Sequence, residues 1–341
     1  MVSSSADVWG VVLAGGEGTR LLPLTRHIAG SDCPKQFCAV TGGRTLLGQT
    51  LDRIAQLIPA ERTVVVATRT HTGYLRRDLP GPVPRALLQP SNKGTAPAIL
   101  WPAYRVSRLA PGAVVAVFPS DHYVNPDRAF MAHVARAVRV VRERPDLVVL
   151  LGVDPGGPEE EYGWIEPGEP VLGADGCVRV RGFWEKPTAE RARLFFGAGF
   201  VWNTLVVVAR ADTLTALGRR HVPDVAACLE TLEAHAAGQE DFAAVSEAYA
   251  RMRPANFSRE VLERETESLV MLRVRGVLWS DWGTPDRVVR TLRRVGMSPD
   301  WLETWSGRSE QPRSDSASDR LTGSQIPVGS PMAFATSSDP R

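Results

Sequence analysis

Lysine is almost missing from this chain. Of 40 basic residues only Lys35, Lys93 and Lys186 are lysines, and each lies beside a proline or a glycine in a loop-like segment. An ammonium on a flexible stem is a point charge for phosphate that a planar guanidinium replaces poorly. Cysteine is scarce too: Cys33, Cys38, Cys177 and Cys228 form no Cys-x-x-Cys pair in 341 residues, so no disulfide framework is read and the four are taken as reduced thiols of a cytosol. Six scattered histidines without Cys/His spacing argue against zinc, and His122 is read as structural. No apolar run approaches the roughly 18 residues of a spanning helix. The start, Met-Val-Ser-Ser-Ser-Ala-Asp, lacks the cationic region of a secretion signal. The expectation is a cytoplasmic protein with no membrane partner. Net charge is also small, +2 with both signs interspersed, which disfavours nucleic acid as a partner.

What remains is a chain 43% hydrophobic, long enough for a large core. Val8–Ala14, Thr63–Ala67, Ala113–Phe118 and Leu147–Val153 are short valine-rich apolar runs, as strands buried on both faces would be. Helical patterns lie between them at Thr45–Leu57, Ala96–Leu109 and Asp127–Glu143, the last opened by Asn125 as cap and Pro126. The alternation implies an α/β fold with a mostly parallel sheet sandwiched by helices. After Pro155, Glu161–Gly168 and Cys177–Phe183 alternate apolar with polar, which predicts an antiparallel portion. One helical stretch over Thr213–Arg253, a strand pair at Leu269–Val274 and Val277–Trp279, and a helix over Pro285–Val295 started by Thr284 complete the plan. Residues 297–341, mostly Ser, Pro, Gly, Asp and Arg from Ser306 onward, are expected to be a disordered tail.

The first predicted strand runs into Gly15-Gly16-Glu17-Gly18-Thr19-Arg20. Glycines after a strand let backbone amides converge on an anion, and Arg20 can share its charge. The spacing fits neither a Walker loop nor a dinucleotide fingerprint, and alone it leaves a plain tight turn open. The joint pattern with Leu-x-Pro-Leu-Thr and Pro34-Lys35-Gln36-Phe37 is more specific. Residues 11–37 resemble the signature of the sugar-1-phosphate nucleotidylyltransferases, and Pro-Lys-Gln-Phe is similar to the mannose-1-phosphate guanylyltransferase branch. Matches continue in the family's order: Gly94–Ile99, Phe118-Pro119-Ser120-Asp121-His122, Tyr162-Gly163-Trp164-Ile165, Phe183-Trp184-Glu185-Lys186-Pro187, Trp202-Asn203 and Trp279-Ser280-Asp281-Trp282-Gly283. The resemblance covers about residues 8–295.

It implies a Rossmann-like nucleotidylyltransferase domain over 1–296, with a nucleotide-binding part at about 1–153 and a sugar-phosphate-binding part at 154–296. It also implies the reaction, in which a sugar 1-phosphate oxygen attacks the α-phosphorus of a nucleoside triphosphate and pyrophosphate leaves. The nucleophile is already an anion, so positioning and charge neutralisation suffice. By resemblance Asp121 and Asp281 hold Mg²⁺, and Arg20 and Lys35 clamp the triphosphate. Gly15, Gly16, Gly18, Thr19, Gln89, Gly94 and Thr95 face the nucleotide. Lys186 binds the sugar's phosphate, and Gly163, Glu185 and Asn203 the sugar hydroxyls.

Leu22, Gln89, Lys93-Gly94, Thr204-Leu205 and Ser258 depart from the guanylyltransferase pattern, around base and sugar rather than the reacting phosphates. GTP with mannose 1-phosphate is the first expectation. Another triphosphate (UTP, dTTP or ATP) with another sugar, or a catalytically silent sugar-nucleotide sensor, stays open. The fused isomerase domain of longer relatives is not seen, so no mannose-6-phosphate isomerase activity is expected. Association into a homo-oligomer is left open.

Overall fold

The valine-rich runs form strands, and their burial on both faces decides the architecture. The computed structural model describes residues 8–79, 85–235 and 242–306. In chain order the strands are β1 (Val8–Leu13), β2 (Thr63–Thr68), β3 (Arg85–Gln89), β4 (Val114–Pro119), β5 (Tyr123–Asn125), β6 (Val148–Val153), β7 (Gly163–Pro170), β8 (Cys177–Glu185), β9 (Val201–Arg210), β10 (Leu269–Val274) and β11 (Leu278–Ser280). One sheet has the order β3-β2-β1-β4-β9-β6-β10-β8-β7, and β5 with β11 makes a separate ribbon. Along β1, Val8 and Val12 join one core cluster while Trp9 and Val11 join another. Successive side chains point to opposite faces, so a strand apolar throughout needs cover on both. Helices Leu46–Ala55, Asp127–Glu143 and Pro285–Arg294 supply it on one side. Thr95–Leu109, Ala211–His221, Pro223–His235 and Phe242–Arg251 supply it on the other.

β1 to β4 pair in parallel, as do β6 and β10. β9 enters antiparallel between β4 and β6, and β8 runs against β10 and β7. Only β8 and β9 therefore oppose the common direction, and the sheet is mixed and mostly parallel as expected. Strand order runs outward from β1 to β3 and then resumes at β4 on the other side of β1. Such a reversal opens a crevice at the carboxyl ends of the strands. Gly15 follows β1 into it, and Asp121 follows β4.

Elsewhere the element plan is corrected. Among the described residues the stretch Thr213–Arg253 falls in three helices, the first of which ends where Val222 leaves helical geometry before Pro223, as the residue preceding a proline tends to. β3 and β9 were not among the expected strands. The strand expected at Val277–Trp279 is Leu278–Ser280, and it pairs with β5 rather than with Leu269–Val274. Asn125 ends β5, and no side chain caps the helix Asp127–Glu143. The boundary expected at 296 falls too early: Trp301–Thr304 forms a short helix, Trp301 Nε1 donates to the Val40 carbonyl at 2.8 Å, and Trp301 and Trp305 pack on the core. Two indoles hold this segment down; residues 307–341 lie outside the described residues. Among the described residues no helix is long and apolar enough to cross a membrane.

Candidate active site

The crevice begins at the glycine turn. Gln36 Nε2 donates to the carbonyls of Ala14 and Gly16, both at 2.8 Å, which fixes the turn from below. Gly18 has φ 62°, and a Cβ there would stand 3.0 Å from Lys35 Cβ and 3.1 Å from its amide nitrogen. Only glycine allows both this backbone and the approach of Lys35. Gly15, Gly16, Gly18, Gln89, Gly94 and Thr95 line one cavity of about 330 Å³. Gln89 is buried and donates to Tyr249 Oη at 3.0 Å, and Thr95 Oγ1 accepts from the Phe257 amide at 2.8 Å. Thr19 and Arg20 lie in an adjoining cavity of about 250 Å³ that also holds Lys35 and Asp121.

The ribbon brings the two acids together. Ser280 is in register with Tyr123, so Asp281 arrives beside residues 121 and 122 although far from them in sequence. Lys35 Nζ donates to Asp121 Oδ2 at 3.1 Å and also to the main-chain carbonyl of Asp281. The Asp281 carboxylate accepts from Tyr162 Oη at 2.7 Å, the Gly283 amide at 3.0 Å and Arg287 Nη1 at 3.2 and 3.3 Å. Arg287 also donates to Glu159 and lies over the Tyr162 ring. Loss of water would raise both aspartates, but the Lys35 charge, aided by His122 and, at Asp281, by Arg287 and Tyr162, outweighs it and holds both carboxyls below their ordinary value. Both are ionised at neutral pH.

Among the described residues no group of three or more His, Cys, Asp or Glu could hold a metal ion. Two ionised carboxylates suit Mg²⁺ nonetheless, because that ion takes hard oxygens and completes its shell with water and substrate phosphates. The Lys35 ammonium on Asp121 marks the spot as one that accepts positive charge.

On the far side, Gly163, Glu185 and Asn203 line a cavity of about 120 Å³ with Tyr162 and Trp279. Gly163 on β7 is opposite Glu185 on β8, and a Cβ on it would come within 3.0 Å of Glu185 Oε2 and 3.3 Å of Asn203 Cβ. Burial pushes the Glu185 carboxyl up, against the pull of Lys186. Lys186 has φ 52° and its amide donates to the Tyr162 carbonyl at 3.1 Å. Leu205 (φ 61°) and Trp282 (φ 48°) share this left-handed backbone at the same crevice, and Leu205 walls both the large and the small cavity. Such conformations cost a side-chain-bearing residue about 1–3 kcal/mol, and they concentrate at functional sites.

The expected site residues line these three adjoining cavities, except Lys186, which lines none of them and lies 3.6 Å from Glu161 on the wall of the small one. Sequence reasoning missed Tyr162 and Arg287, which orient Asp281, and Glu161, whose carboxylate is shared by Arg20 and Lys186. It also set His122 aside, although that ring walls both cavities, edge-on to Trp279 at 5.2 Å. Tyr162 and His122 stood inside the quoted motifs and could have been flagged; Arg287, in the first turn of a helix, carried no local signal.

A crevice at the strand-order reversal, with a glycine turn, fixed cations and a pair of acids, defines a nucleotide-binding α/β protein of the nucleotidyltransferase type. The chain belongs to the nucleotidyl transferase family, whose profile matches residues 9–295. It is 31% identical over 278 residues to the alginate biosynthesis protein AlgA of Pseudomonas syringae pv. tomato, covering 80% of this chain and 56% of the relative. It is 29% identical over 290 residues to the mannose-1-phosphate guanylyltransferase of Escherichia coli K12, covering 82% and 59%. The chain therefore spans less than three fifths of these relatives. A crystal structure described as mannose-1-phosphate geranyltransferase from Thermus thermophilus superposes with TM-score 0.73 at 33% identity, over 86% of this chain and 80% of that one. A mannose-6-phosphate isomerase from Helicobacter pylori, at 19% identity and TM-score 0.63, shares the fold.

Proposed function

We propose that the chain transfers a nucleotidyl group from a nucleoside triphosphate to a sugar 1-phosphate, with GTP and mannose 1-phosphate as its pair. The observation that carries this reading is Lys35, which donates both to Asp121, a wall of the large cavity, and to the main chain of Asp281, a wall of the small one. In the reaction a phosphate oxygen of the sugar 1-phosphate bonds to the α-phosphorus, the bond from that phosphorus to the bridging oxygen breaks, and pyrophosphate departs with the electron pair. Gly15, Gly16 and Gln89 would seat the nucleoside, and Arg20 and Lys35 would take charge from the departing pyrophosphate. Glu185, Asn203 and the Gly163 backbone would orient the sugar so that Lys186 holds its phosphate in line. Asp121 and Asp281 would hold Mg²⁺, which when bound neutralises charge on the phosphates. The guanine and mannose assignments are supported by the names of the relatives and by the Pro-Lys-Gln-Phe segment.

The test measures pyrophosphate release over a panel of triphosphates and sugar 1-phosphates, with and without Mg²⁺. GTP with mannose 1-phosphate and Mg²⁺ is expected to give the highest kcat/KM, and Asp121→Asn to lower kcat by about 10²–10³ with an unchanged melting profile. Another preferred pair would revise the substrates, and GDP-mannose binding without turnover by any pair would mark a silent sensor.

A further inference from the structure

Arg20 and Lys186 are assigned above to two different substrates, yet in this structure they share one partner. Glu161 Oε2 accepts from Arg20 Nη1 and lies 3.6 Å from Lys186 Nζ. The three side chains come from the turn after β1, the end of β8 and the loop before β7. Each is close to half exposed: 49% for Arg20, 44% for Glu161 and 45% for Lys186. A carboxylate so wetted is held only weakly and can leave. Its neighbour Tyr162 is buried and hydrogen-bonded to Asp281, so the backbone is anchored and only the Glu161 side chain needs to swing. Glu159, two residues earlier, is already taken by Arg287.

We propose that Glu161 is an internal stand-in for substrate phosphate, which keeps Arg20 and Lys186 aligned in the empty site and couples the binding of the two substrates. This rests on the nucleotidyl-transfer reading. A phosphate reaching Arg20 must displace the carboxylate, and that frees Lys186 as well; a phosphate reaching Lys186 first frees Arg20. The displacement is thus met once, by whichever substrate binds first, and the second binds to a cation already released. Coupling of this kind is reciprocal. Glu161 touches no reacting atom and acts through the two cations as a positioning residue.

Glu161→Gln removes the charge and keeps the size. Calorimetric titrations with mannose 1-phosphate, a GTP analogue with a methylene α,β bridge and inorganic pyrophosphate, each alone and the first two also together, compare it with the wild type in the presence of Mg²⁺. The variant is expected to bind each single ligand about three- to tenfold more tightly. Any enhancement of one substrate's binding by the other should shrink by a similar factor, and KM should fall by more than kcat changes. Unchanged or weaker binding of all three ligands by a folded Glu161→Gln protein, with the wild type still turning over, overturns the role of Glu161 alone. Tighter pyrophosphate binding by the variant, with no turnover of any substrate pair by the wild type, supports the stand-in and overturns the transfer reading instead.

Discussion

Gly163 shows how little room the small cavity has. A single methyl at this position would meet Glu185 Oε2 and Phe183 Cζ at 3.0 Å, closer than carbon atoms pack without one of them moving. Gly163→Ala is therefore expected to raise KM for the sugar 1-phosphate about tenfold while leaving KM for the triphosphate near its wild-type value; equal rises in both would contradict the placement. Gly163, Lys35 and Asp121 could be singled out because each lies in a short segment that resembles a family motif. Arg287 lies in no such segment, and what it and Tyr162 do depends on Asp281, more than a hundred residues from Tyr162 and brought there by pairing. Glu161 was hidden for another reason: it is the last of three consecutive acids with nothing in the sequence to single it out, and only the fold brings it to two cations.

Among the elements, the helix Pro285–Arg294 matters most to the site, because it presents Arg287 to Asp281. Thr284 caps it by accepting from the Arg287 amide. Loss of such a cap costs about 1 kcal/mol, so Thr284→Ala should lower the stability read from urea unfolding by that amount and reduce kcat through a looser Arg287; undiminished stability would show that the cap is idle. The central strands were legible from their unbroken valine runs, and the antiparallel β7–β8 pair from its alternation. β9 was not, since Asn203 and Thr204 interrupt its apolar run. Thr204 Oγ1 donates to the Leu151 carbonyl at 2.7 Å, next to a register shift between Leu150 and Gly152, so a polar pair sits inside the sheet. The partner of β11 was out of reach as well, because three residues carry no signal of which distant strand they will join.

For the molecule as a whole, His71 ties stability to pH. It is buried, with Nδ1 3.3 Å from the Ala14 carbonyl and its ring edge-on to Phe37. Burial holds its pKa below the ordinary 6.5, against the pull of Glu17 and of the Ala14 hydrogen bond. The folded state thus resists a proton that the unfolded chain accepts. The stabilisation is complete above 6.5 and is lost as pH falls through 6.5 toward the folded value. Melting temperatures from about pH 8 to about pH 5 should fall more steeply for the wild type than for His71→Leu; parallel curves would exclude this group as a source.

The seating of β9 reaches beyond packing. Supplied by the later half of the chain, it fills the gap between β4 and β6 of the earlier half, and it carries Asn203 and Leu205 at its crevice end. A polypeptide severed between Val153 and Asp154 would not yield one fragment that recognises a nucleoside and another that recognises a sugar. The first would keep β4 with a bare edge and β6 with neither of its sheet neighbours, β9 and β10, and the second would hold β9 by only its short pairing with β7. On the proposed reading, donor and acceptor would lie on one continuous floor, and the line of attack between them would be set by strand register instead of by a hinge.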